Sequence, residues 1–227
     1  MSALDNNQWV AATHRGLAMV WIEFESALVQ VPVIARIIDH RLRLADYQRL
    51  LLNLRQQVME GGRWISRGAS SLGQDHEELR TLFIRHAAAE HRDYRMLEAN
   101  YVATGGALPE IRGASKNIGT VALSAFMYQT ASQPDPVAML GAMFIIEGLG
   151  NKFAGPWADA IATQLELPDV ATSFLRYHGE NDAEHLTMFD SALAMAVTSE
   201  AISQEIVRTA KIVARLYRLQ LEEMDNV

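Results

Sequence analysis

The 227-residue sequence has no cysteine, which excludes disulfides, iron–sulfur clusters, thiolate metal ligands and cysteine nucleophiles together. Any bound metal must therefore be held by nitrogen and oxygen. Proline is scarce, at 6 residues, so few helical ladders are interrupted. Lysine and arginine (20) are outnumbered by aspartate and glutamate (27), and the two signs are mixed along the chain, for a net charge of −7. No basic face is left for phosphates, and nucleic acid is not expected as a partner. No run reaches the ~18 consecutive apolar residues of a spanning helix. Residues 1–8 have neither the basic start nor the apolar stretch of a signal peptide. A cytoplasmic protein without membrane association is the expectation.

The residues that are abundant favour helix. Alanine, leucine, methionine, arginine and glutamate fill long stretches between the prolines and the pairs Gly61-Gly62 and Gly105-Gly106. Strand signals are nearly absent. The pattern predicts helices at about 8–30, 45–67, 73–104, 116–131, 136–166, 170–197 and 199–224, forming one all-α domain over 1–227, a bundle of about seven helices. Asp46, Asp75 and Ser199 are candidate caps. Pro156 is expected to kink or split the fifth helix, and Glu60-Gly61-Gly62-Arg63-Trp64 to interrupt the second.

Three stretches carry candidate chemistry. His178, Asp182 and His185 are spaced to share one helical stripe, half of a site for a borderline divalent metal. Their run lies between Phe174-Leu175 and Leu186-Thr187-Met188-Phe189, within an otherwise packed helix. Glu147 sits in the apolar run Phe144-Ile145-Ile146-Glu147-Gly148-Leu149-Gly150, where a carboxylate needs compensation by an arginine or a metal ion. His86, Glu90 and Asp93 form a third stripe, with His91 about a quarter-turn away. A solvated charged face is the alternative there. Three such stripes facing one another would follow the logic of a dimetal carboxylate site in a bundle core.

The sequence resembles the heme-oxygenase-like superfamily, and within it the iron-containing redox enzymes described as heme-oxygenase-like diiron oxidases. The resemblance rests on the Phe144-to-Gly150 segment and on the H-x3-D-x2-H pattern at His178, Asp182 and His185, and extends over nearly the whole chain. It implies a non-heme centre of two iron ions per chain, ligated by His86, Glu90, Glu147, His178, Asp182 and His185, with Asp93 or His91 as substitutes on the third helix. That helix departs from the family order, in which the glutamate precedes the histidine. Glu147 would also be the catalytic carboxylate, with Glu147 or Glu90 bridging the ions. Dioxygen and a small, apolar or amine-bearing organic molecule would be the substrates.

Heme is not expected, because Ala27-Leu28-Val29-Gln30 stands where heme-binding members carry their proximal histidine. A heme-binding or heme-degrading protein, or a non-enzymatic metal-binding bundle, are the alternatives. Met139, Met143 and Met188 are either core or the wall of a substrate pocket. Tyr94 and Tyr177 are candidates to support the ligands. A homodimer is compatible with the size and charge, though no residue demands it.

Overall fold

The computed structural model describes residues 3–226, with the side chains of 3–7 and 181–187 excepted. The chain is all-helical, as expected. Its α-helical segments are α1 (Ala3–Leu28), α2 (Pro32–Ile38), α3 (Leu44–Ser71), α4 (Glu77–Glu90), α5 (Tyr94–Ala103), α6 (Leu108–Gly113), α7 (Ile118–Ala131), α8 (Met139–Leu149), α9 (Gly155–Leu165), α10 (Ser173–Ala196) and α11 (Glu200–Glu222). Eleven segments among the described residues replace the expected seven.

The difference has local causes. The third predicted helix divides into α4 and α5 at residues 91–93, where the Asp93 N–H bonds back only three residues, to the Glu90 carbonyl at 3.2 Å. The fifth divides at a π-helical turn, Gly150–Ala154, after which Pro156 occupies the first turn of α9 and donates no helical hydrogen bond. The short helices α2 and α6 each begin with a proline in the first turn and are too brief to show a periodicity. In the opposite sense, Gly61 and Gly62 do not interrupt α3, which runs unbroken for 28 residues.

Gly62 is needed for a different reason. A Cβ there would stand 2.7 Å from the Cα of His91, so the backbone of α3 touches the end of α4. Gly62→Ala is expected to cost about 1–3 kcal/mol by overpacking and to displace the turn that follows Glu90. Denaturant unfolding of the purified variant measures the cost. No loss of stability would contradict the contact.

The helix α3 lies at the centre of the bundle, against α4, α5 and α7, while α11 packs on α1, α7 and α8, and α10 on α8, α9 and the π-turn. Being so enclosed, α3 buries polar side chains that must find partners. Arg55 donates to Glu98 on α5 at 2.9 Å, Gln56 to the Ile111 carbonyl on α6, and the Asn53 oxygen accepts from Asn117. Glu60 accepts from Lys116 and from Tyr128 of α7. At the C-terminal end Ser199 caps α11, accepting from the Ile202 N–H. No single helix among the described residues is long and apolar enough to cross a membrane.

Candidate metal centre

Five of the side chains singled out above meet inside the bundle. His86 and Glu90 stand one turn apart on the last turns of α4, Asp93 is the last residue of the break before α5, Glu147 lies near the end of α8, and His178 is on the second turn of α10. His86, Asp93 and Glu147 are buried, at 2%, 8% and 5% exposure, while Glu90 and His178 are partly buried. His86 Nε2 lies 3.1 Å from Glu147 Oε1, and His178 Nε2 lies 3.4 Å from Asp93 Oδ2. Asp93 Oδ2 has no hydrogen-bond partner among the described residues.

The donors form two triads. One oxygen or nitrogen from each of His86, Glu90 and Glu147 fall within 4.8 Å of one another, and the same holds for Glu90, Asp93 and His178. Glu90 belongs to both. Burial pushes its carboxyl group up to about 7, and the Glu147 charge pushes in the same direction, against the pull of His178 and His86. Three carboxylates and two imidazoles thus crowd together, and among the described residues neither lysine nor arginine lines the adjoining cavity. Carboxylate and imidazole together suit iron, manganese or zinc, and a cation at the triads would relieve the like-charge repulsion that burial makes costly.

The elements around the donors fix their directions. The His178 ring packs against Phe174, with ring centroids 4.4 Å apart, and meets Tyr177 edge-on at 5.3 Å. Gly179 brings α10 against the segment after Glu147: a Cβ there would stand 2.8 Å from the Gly155 nitrogen. The π-turn thus occupies the strip between Glu147 and α10, a distortion of the kind that clusters at functional sites.

Two of the sequence expectations change here. Asp93 does not substitute for His86 or Glu90 but stands with them, because the tight turn at 91–93 keeps it beside Glu90 while the chain changes direction. His91 does not join the cluster: it is exposed, with Nδ1 at 2.8 Å from the Ala88 carbonyl oxygen. Glu147 pairs with His86, where the sequence offered an arginine or a metal ion. Tyr94 lies under the guanidinium groups of Arg55 and Arg95. The side chains of Asp182 and His185 lie outside the described residues.

A cavity of about 100 Å³ opens beside His86, Glu90, Glu147 and His178, far more than the ~10–15 Å³ that one water needs. Its long wall is one face of α3, with Leu50, Leu54, Gln57, Gly61 and Ile65. Of the methionines that the sequence left as core or pocket wall, Met139 and Met143 are both, buried and lining the cavity, joined by Met127; Met188 does not line it. Gln57 and Trp157 went unnoticed in the sequence, although the three- and four-residue spacing from Leu50 to Gly61 is a visible signal for a shared face.

Comparison with known proteins agrees with this architecture. A domain of unknown function with a heme oxygenase-like fold from Shewanella denitrificans OS217 superposes with a TM-score of 0.86 at 17% identity, over 92% of this chain and 90% of that one. A TenA homolog from Pseudomonas syringae pv. tomato DC3000 gives 0.73 at 16% identity, over 100% of this chain and 96% of that one. A TenA homologue from Pyrococcus furiosus gives 0.66 at 12% identity, over 88% and 99% respectively. These likenesses establish the heme-oxygenase-like fold. No curated protein matches the chain significantly. The sequence profile of the iron-containing redox enzymes matches residues 62–218, a span that includes all five donors, and the chain belongs to that family, within the heme-oxygenase-like superfamily.

Proposed function

We propose that the chain is an oxidase or oxygenase that uses dioxygen at a non-heme centre of two iron ions to oxidise a small organic substrate. The observation that carries this reading is the sharing of Glu90 by two donor triads, since a carboxylate can bridge two ions and an imidazole cannot. His86 and Glu147 would hold one ion with Glu90. Asp93 and His178 would hold the other with it, and the helical stripe of His178 adds Asp182 and His185 by spacing. Iron would supply the electrons for dioxygen reduction, its oxidised form favoured by the carboxylates and its reduced form by the imidazoles.

The chain's own residues prepare that chemistry. The apolar wall beside the donors keeps bulk water from the reacting centre. His86 Nε2 and Glu147 Oε1, 3.1 Å apart, are close enough to offer a nitrogen and an oxygen to one ion. Glu90, whose carboxyl burial has pushed up to about 7, holds a proton in the metal-free protein below neutrality and must release it for a cation to enter.

That last step gives a sign. Ferrous-iron affinity is expected to rise as pH is raised from about 5 to 7, while the proton is being removed, and to level off above that range. Anaerobic titrations across the range measure it, and a pH-independent affinity would contradict the role of Glu90. The activity itself is tested by exposing reduced, iron-loaded protein to air in an oxygen electrode. Consumption of dioxygen in proportion to bound iron is expected, and none at full iron loading would overturn the proposal.

A further inference from the structure

The cavity beside the donors is lined mainly by apolar side chains, with the donors themselves, Gln57, Tyr217 and the indoles of Trp64 and Trp157 as its polar groups. Gln57 is only 4% exposed, and its amide is held in one orientation by a relay. The Gln220 side-chain N–H donates to Gln57 Oε1 at 3.1 Å, and the Thr120 hydroxyl donates to Gln220 Oε1 at 3.2 Å. Thr120 and Gln220 are fully buried. Turning both amides over would replace Gln220 Oε1, the acceptor of the Thr120 hydroxyl, by an N–H donor and break that bond. The relay therefore commits Gln57 Oε1 and leaves its Nε2 as a donor that no protein group among the described residues engages.

That donor belongs to the lining of a chamber whose wall along α3 is otherwise Leu50, Leu54, Val58, Gly61, Trp64 and Ile65. Gln57 lies one turn of α3 before Gly61, and Gly62 touches the residue after Glu90, so the donor stands roughly 6–8 Å along the helix axis from Glu90, at ~1.5 Å per residue. An ammonium group would find a donor where it needs an acceptor.

We infer that the cavity selects a molecule with an aliphatic body and a carbonyl oxygen, and that Gln57 is the specificity-determining residue that donates to that oxygen. The inference rests on reading the cavity as the substrate chamber of the proposed iron centre. The remainder of the molecule fits the apolar wall of Leu50, Leu54, Met143 and Trp157, and its reacting carbon lies at the Glu90 end.

The test uses metal-free protein, so that binding is read separately from iron content and a failed iron centre does not mimic a failed pocket. Hexanamide and hexane are titrated by calorimetry, and the ratio of their affinities is the readout. Wild-type protein is expected to prefer hexanamide. Gln57→Leu should lower that preference by about five- to tenfold, the worth of one hydrogen bond, whereas Gln220→Leu, which breaks the relay but keeps the donor, should retain most of it. Gln57→Met provides the same comparison if the leucine variant does not fold. An unchanged preference in the Gln57 variants, an equal fall in Gln220→Leu, or no binding of either ligand to the wild type would overturn the inference.

Discussion

Glu90→Gln is expected to weaken ferrous-iron binding at both halves of the site, by more than the ~10–100-fold that loss of an outer-shell partner costs a metal centre. The reason is geometric: Glu90 is common to the triads built with His86 and Glu147 and with Asp93 and His178. Glu147→Gln and Asp93→Asn each touch one triad only, and each is expected to leave one ion bound. Iron analysis of the three variants, loaded side by side without oxygen, separates a shared carboxylate from three independent ligands. A Glu90→Gln protein that retained one full equivalent would show that Glu90 does not bridge.

The same substitution has an opposite effect on the empty protein. The carboxyl of Glu90 has a folded value raised above that of the unfolded chain, by burial first and by Glu147 second. Its contribution to stability is therefore fully present below about pH 4.5, the ordinary carboxylate range, and is lost as pH rises through about 7. Metal-free Glu90→Gln should then melt above wild type at pH 8, and the two should converge in acid. A gain in stability on removing a site residue is a mark of binding machinery rather than of packing.

The largest loss of stability is expected away from the metal, at Glu98. Its side chain is 6% exposed and accepts from Arg55, itself 9% exposed, at 2.9 Å, and from the more open Arg112 at 2.8 Å. Burial alone would raise the Glu98 carboxyl, yet the hydrogen bonds from Arg112 and Arg55 hold it below its ordinary value. Glu98→Ala strands the Arg55 guanidinium inside the bundle, which costs about 3–5 kcal/mol. Because a lowered carboxyl gives stability that is present above the unfolded value and lost as pH falls through the folded one, the wild-type advantage should shrink in acid. Chemical denaturation at pH 7 and pH 3 measures both effects, and equal differences at the two pH values would contradict the ion pair.

Much of this arrangement was legible in the residues because helical spacing is local. The ladder that puts His86 and Glu90 on one stripe depends only on four intervening peptide units, and the isolation of Glu147 within an apolar run signals a buried charge whatever surrounds it. Ser199 marked the start of α11 for the same reason: a cap acts over three residues. The family resemblance turned those stripes into an expected ligand set, which spacing alone left open.

What escaped depends on contacts between distant segments. Gly61-Gly62 looks like a break until His91 is seen against Gly62, where the missing side chain serves close approach and the helix continues. The division at 91–93 leaves no proline or glycine in the sequence, so a continuous helix was the natural expectation, and Asp93 was ranked behind Glu90 instead of beside it. Gln57 is an ordinary helix former on a segment that mixes apolar and polar residues. Only the relay from Thr120 and Gln220, on α7 and α11, distinguishes it.

The central claim is that one carboxylate ties two metal positions together in the bundle core. Ferrous iron titrated into the metal-free protein without oxygen, then followed by Mössbauer and electron paramagnetic resonance spectra before and after air, addresses it most directly. The account predicts two ions per chain that become a magnetically coupled ferric pair, silent in paramagnetic resonance. A single iron with an uncoupled ferric signal, or no retained iron, would contradict it.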